Sequence, residues 1–169
     1  MLSVRAATNS DRRDVAKVHV LSWQVGYRDL IPDDVHDQLR PEDRASRYNF
    51  EQSGEAKQRT FVASEGDDIV GFVTFGASND VDSNDKGEIF DVYVDPASWG
   101  HGVGPALLVH ALSHLQELSF THAILWVLEG NQRAARFYEI DGWSSDGTIR
   151  EDVMWGINVT GRRFTRSLP

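Results

Sequence analysis

Between Glu88 and Leu118 the chain runs from a strand-like apolar segment through Asp95-Pro96 and three glycines in five residues into a leucine-striped helix. No other stretch narrows the fold as much. Glu88–Val94 reads as a strand. Asp95-Pro96 ends it, because proline lacks an N–H and restricts the residue before it. Gly100, Gly102 and Gly104 make a turn, and Pro105 suits the first position of the helix that follows. On that helix Leu107, Leu108, Ala111, Leu112, Leu115 and Leu118 form one apolar stripe. Glycines let successive backbone N–H groups point into one hollow, and a helix N-terminus adds about half a positive charge, so the segment is suited to an anion. A P-loop would need Lys and Ser/Thr after the last glycine, where Pro105-Ala106 stands. A dinucleotide fingerprint, G-x-G-x-x-G/A, would end at Pro105 or Leu107, and no acidic strand end follows about 20 residues on. Taken alone, the turn leaves an anion site and a plain helix-starting turn equally open.

The remaining segments place it in context. Leu2–Ala6 reads as a first strand. Ser10 offers an N-cap, Asp11 falls in the first turn, and Val15, Val18, Ser22 and Val25 recur at helical spacing up to Gly26. Pro32 and Pro41 open two short helices, Asp33–Leu39 and Glu42–Gln52. Phe61–Ala63 and Ile69–Phe75, joined by Gly66-Asp67-Asp68, form a hairpin. Ala77–Lys86 is a polar loop. Ala123–Leu128 is a strand, Asn131 caps a helix through Glu139, and Asp141-Gly142 ends it; Trp143–Ser145 and Asp152–Val159 read as the last strands. There is no repeat and no linker. The expectation is a single α+β domain over 1–169.

Composition removes several functions. A formal charge of -9 argues against general nucleic-acid binding. No apolar run approaches the roughly 20 residues of a membrane span, and the N-terminus lacks an apolar signal core. A cytoplasmic location is therefore expected. The chain has no cysteine, which excludes disulfides and thiolate chemistry. His110 and His114 stand at i, i+4 with no third ligand evident, so no metal is expected.

Tyr93-Val94-Asp95-Pro96-Ala97-Ser98-Trp99-Gly100-His101-Gly102-Val103-Gly104-Pro105-Ala106-Leu107-Leu108 resembles the coenzyme-A segment of the GNAT (GCN5-related N-acetyltransferase) superfamily, roughly V-x-P-x-x-(R/Q)-G-x-G-x-G-x-x-L. Leu125–Trp143, with Asn131, Ala134, Phe137, Tyr138 and Gly142, is similar to that family's second signature, L-x-V-x-x-x-N-x-x-A-x-x-F-Y-x-x-x-G-(F/W). The two lie in the family's order and separation. Trp99 departs from the usual Arg or Gln, and Pro105 removes one backbone donor.

The resemblance implies the three-layer GNAT fold: a mixed, mostly antiparallel sheet with splayed central parallel strands, flanked by helices. It implies transfer of an acetyl group from acetyl-CoA to a small-molecule or peptide amine. A non-catalytic acyl-CoA sensor is the alternative. The pantetheine arm would pair with Val92, Tyr93 and Val94, and the Val92 N–H would meet the thioester carbonyl as oxyanion donor. Trp99, Gly100, His101, Gly102, Val103 and Gly104 would hold the pyrophosphate. Asn131, Ala134 and Phe137 would line the arm. Glu88 would act as base, with Asp91 as its competitor, and Tyr138 as the acid that protonates the leaving thiolate. Trp23, Tyr27 and Arg28 fall where the family forms its acceptor pocket. Asp33, Asp34, Asp37, Asp80, Asp82 and Asp85 hint at a cationic amine. Arg162, Arg163 and Arg166 read as surface charges. The family also commonly forms homodimers.

Overall fold

The computed structural model describes residues 1–50, 58–154 and 156–169. Seven strands form one sheet: β1 (Leu2–Ala6), β2 (Arg59–Glu65), β3 (Asp68–Ala77), β4 (Gly87–Val94), β5 (His122–Leu128), β6 (Ser144–Met154) and β7 (Ile157–Ser167). Their order across the sheet is β1-β2-β3-β4-β5-β7-β6. Every neighbouring pair is antiparallel except β4 and β5, which run parallel.

Helices cover both faces. On one lie α1 (Arg12–Gly26), α2 (Asp33–His36) and α3 (Pro41–Ala45). Val15 and Val18 of α1 pack on Val62 and Phe72 of the sheet. The other face carries α4 (Val103–Glu117) and α5 (Gln132–Ile140). The leucine stripe of α4 meets Val73, Phe75, Ile89 and Leu125 there, with Ala134, Phe137 and Tyr138 of α5 at its margin. The three layers match the expected class. Apolar residues at period 3.6 on one α4 face and mostly apolar central strands dictate that arrangement.

Several boundaries differ from the sequence expectation. Thr8, not Ser10, caps the N-terminal turn, because the Asp11 carboxylate accepts the Thr8 N–H at 2.8 Å and closes a capping box. The Asp33–Leu39 helix is one turn, Asp33–His36. The next runs Pro41–Ala45, and the end of the expected Glu42–Gln52 helix lies outside the described residues. α4 begins at Val103 with Gly102 as its cap, so Pro105 is the third helical residue rather than the first. It still lies in the first turn, where its missing N–H costs no ladder bond. The largest difference is at the C-terminal end. Two short strands are expected there, and the chain instead makes an eleven-residue hairpin pair, β6 and β7.

Candidate active site

β4 and β5 start as neighbours and then part. They pair only at Gly87–Ala123, Glu88–Ile124 and Ile89–Leu125. Beyond Ile89 a bulge inserts Phe90: Phe75 of β3 faces Ile89, and Thr74 faces Asp91. After the bulge the Asp95 N–H donates to the Val70 carbonyl on β3 at 2.8 Å. Amide direction alternates along a strand, so Tyr93 also faces β3, while the N–H and C=O of Val92 and Val94 point into the gap that β5 has vacated.

That gap opens into a cavity of about 640 Å³. Its walls include Val92, Tyr93, Val94, Trp99, Gly100, Gly102, Val103, Gly104, Asn131, Ala134, Phe137 and Tyr138, twelve of the positions singled out from the sequence. His101 is exposed and does not line it. Glu88 does not line it either, whereas Asp91 and Tyr27 do. Trp23 is buried beneath Tyr27, their ring centroids 4.5 Å apart. Arg28 pairs with Asp33 at the surface.

At one end of the cavity stands the glycine turn. Gly100 and Gly102 have φ of +80° and +85°, in the left-handed region that glycine enters freely. The first helical bond runs from the Ala106 N–H to the Gly102 carbonyl, so the Gly102, Val103 and Gly104 N–H groups precede the ladder and are free to meet a ligand. Gly104 answers a second demand: a Cβ there would stand 3.0 Å from Cζ of Phe137. Its absence lets α5 press against the first turn of α4. The two sequence signatures therefore touch at this residue.

Trp99 has a definite task. Its Nε1–H donates to the Val94 carbonyl at 2.9 Å, and Ser22 Oγ lies 3.0 Å from the same oxygen. The turn is thereby tied to the strand, and Val94 keeps only its N–H for a ligand. The Arg133 guanidinium covers the indole at 3.3 Å from the ring centre. Arg133 also lines the cavity, so a cation stands beside the turn although Trp99 carries none. Sequence reasoning missed this residue. A stacking pair 34 positions apart leaves no local signal.

Tyr138 is half-buried on α5, and burial, followed by the nearby Tyr27 and Asp91, pushes its phenol above the ordinary value. It keeps its proton at neutral pH. Asn131 caps α5 by accepting the Ala134 N–H at 3.2 Å.

Glu88 belongs to a different neighbourhood. It is 5% exposed and accepts a hydrogen bond from Ser78 Oγ at 3.0 Å. Burial raises its pKa to about 7; Ser78 and Arg150 pull it down, and Asp80 pushes it up. Asp80 also accepts the Trp126 Nε1–H at 3.1 Å, and Arg150 lies over that indole at 4.1 Å. Trp126 lines the cavity, so this network sets one of its walls. Its anchor is Arg163, 6% exposed, which bonds Asp82 at 2.8 and 3.0 Å, Asp146 at 2.6 Å and Asp80 at 3.4 Å. Arg163 is thus no surface charge, and Asp80 and Asp82 are engaged by it. Arg162 and Arg166 are more exposed and pair with Glu129 and Asp141.

His110 and His114 each donate through Nδ1 to the carbonyl one turn back, at 2.9 and 3.2 Å. Among the described residues no group of three or more His, Asp or Glu gathers that could hold a metal. Among the described residues no helix is long and apolar enough to cross a membrane.

The model of the acetyltransferase (GNAT) family matches residues 23–143, the span that holds both signatures and the gap between β4 and β5. The chain belongs to that family. It is an acetyl-CoA-dependent acyltransferase. It is 30% identical over 132 residues to an uncharacterized N-acetyltransferase of Bacillus subtilis, covering 78% of this chain and 74% of that one. It is also 30% identical over 173 aligned positions to the "Probable N-acetyltransferase" of Mycobacterium tuberculosis, covering 99% and 96%. Among solved structures, a GNAT-type neighbour is the PaiA N-acetyltransferase of Thermoplasma acidophilum, determined with coenzyme A. It matches with a TM-score of 0.73 at 16% identity over 99% of both chains.

Proposed function

We propose that the protein transfers the acetyl group of acetyl-CoA to the nitrogen of a primary amine, by direct attack within the gap between β4 and β5. One observation carries this reading. The open backbone edge at Val92 and the Val94 N–H, the glycine turn and the Tyr138 phenol all face one cavity.

In this reading the pyrophosphate lies on the N–H groups of Gly102, Val103 and Gly104, with Arg133 beside it in place of the cation that Trp99 lacks. The pantetheine arm extends β4 as an extra strand along Val92 and Val94. The Val92 N–H then meets the thioester oxygen. A fixed donor aimed at that oxygen stabilises the developing oxyanion without having to reorient.

An alkylamine with a pKa near 10 arrives protonated at pH 7 and must lose a proton before it can attack. Glu88, with its pKa near 7, has the basicity to accept it. It stands on the same sheet face as Asp91, about 10 Å along the strand from Val92, so ordered water carries the proton. The neutral nitrogen attacks the carbonyl carbon, the C–S bond breaks, and the thiolate takes the proton of Tyr138; the nitrogen sheds its second proton, which restores the phenol.

The test is release of free coenzyme A from acetyl-CoA across a panel of primary amines, with Tyr138→Phe beside the wild type. Amine-dependent release that collapses in Tyr138→Phe supports the reading. Tight acetyl-CoA binding without turnover on any amine would make the protein a sensor instead.

A further inference from the structure

Asp91 is the one carboxylate among the described cavity-lining residues. It is half-buried, yet among the described residues it accepts no hydrogen bond and enters no ion pair. Every other partly buried acid in this region is spoken for: Glu88 by Ser78, Asp80 by Trp126 and Arg163, and Asp146 by Arg163 and the Thr148 N–H. A carboxylate drawn part-way out of water, facing a cavity with no protein partner, is stabilised by a cationic ligand that pairs with it.

Its surroundings say which ligand. Asp91 is one residue from Val92 and, by strand alternation, on the opposite sheet face, the side of α1. Four phenols sense its charge: Tyr27 after α1, Tyr48 after α3, Tyr93 on β4 and Tyr138 on α5. His19 of α1 stacks on Tyr93 at 4.6 Å, and burial holds it neutral, its pKa pushed down to about 3. Among the described residues the cation that acts on Asp91 is Arg44 of α3, which acts at a distance and is turned to the Tyr48 hydroxyl at 3.3 Å. Tyr27, Tyr93 and Tyr138 line the same cavity as Asp91. A carboxylate in a cavity lined by phenol rings matches an alkylammonium group, which pairs with the acid and is attracted to aromatic rings.

We infer that Asp91, with Tyr27 and Tyr138, is the seat of the acceptor, which enters as a primary alkylammonium ion and is held beside the thioester position at Val92. This rests on the acetyl-transfer reading above and names its substrate class. Aromatic amines, neutral at pH 7, lack the charge that this seat recognises. Burial raises Asp91 to about 6, with Arg44 opposing, so the seat should weaken as pH falls through that value.

The experiment uses the full chain saturated with coenzyme A and n-butylammonium as the probe. Its binding is followed by ligand-observed NMR, and the coenzyme A dissociation constant is measured by calorimetry. Wild type should bind the ion at pH 7.5, with affinity falling at pH 5. Asp91→Asn should lose at least tenfold in n-butylammonium affinity and keep its coenzyme A constant. Asp34→Asn, at an exposed acid of α2, should keep both. Equal n-butylammonium binding by wild type and Asp91→Asn, or none by wild type, overturns the seat while coenzyme A binding stands. Failure of wild type to bind coenzyme A would instead remove the transferase reading on which the seat depends.

Discussion

The two halves of β4 show how one strand can serve both a fold and a ligand. The half from Gly87 to Ile89 is closed, paired with β5, and its acid is buried against Ser78. The half from Val92 to Val94 has lost β5, and the Val92 and Val94 amides face a cavity. What separates them is the single extra residue at Phe90. A bulge re-aims side chains and ends pairing. The open half is stable because its polar groups meet a cavity rather than apolar packing. Buried without partners they would cost about 1–3 kcal/mol each.

The sharpest way to break the contrast is in the open half. Tyr138→Phe should lower kcat by about 10²–10⁴-fold, the usual range for a lost proton donor, with little change in the acetyl-CoA KM. Steady-state kinetics on any responsive amine reads this. An unchanged kcat would remove Tyr138 from the chemistry.

Arg163→Ala attacks the closed half. It removes the buried cation between Asp80 and Asp146, leaving Asp80 to Trp126 and Arg150 and Asp146 to the Thr148 N–H, and should cost about 3–5 kcal/mol in urea unfolding. A loss under about 1 kcal/mol would show that the network is an ordinary surface cluster.

Glu88→Gln probes the same half through pH. The folded state raises the Glu88 pKa from an ordinary 4.5 to about 7, so it favours the protonated form. That stabilisation is full below about pH 4.5 and is lost as pH rises through 7. The glutamine variant keeps it. Near pH 9 the variant should therefore unfold later than wild type by about 3 kcal/mol, and near pH 4 the two should coincide. A difference that does not vary with pH would contradict the buried acid.

The smallest effect belongs to the turn. Gly102 has open space around a would-be Cβ, and aspartate tolerates its left-handed backbone better than most residues. Gly102→Asp should fold and raise the acetyl-CoA KM about tenfold, from a negative charge facing the phosphates. Gly104→Asp is the harsher change, because its Cβ also meets Phe137.

The open half was legible in the sequence because its chemistry is local. A strand end, glycines at fixed spacing and a helix start all lie within Tyr93–Leu108. The second signature supplied Asn131 and Tyr138 from one further helix. The closed half was not legible, for two physical reasons. Arg163 meets Asp82 and Asp80 across 81 and 83 residues, so nothing local marks the arginine as buried. β6 is exposed along almost its whole length and carries no inward apolar alternation, which is why the two final strands read as short. Asp91 fell between the two cases. The sequence showed an acid inside a strand, and only the bulge explains how it reaches the cavity.

Amide hydrogen exchange along β4, with and without saturating acetyl-CoA, tests the central claim most directly. Val92 and Val94 should exchange readily in the free protein and become protected when acetyl-CoA binds. Tyr93 and Asp95, already directed at β3, should change little. Bound acetyl-CoA that leaves Val92 and Val94 unprotected would contradict the account, because the open edge of β4 would then not be the surface that receives it.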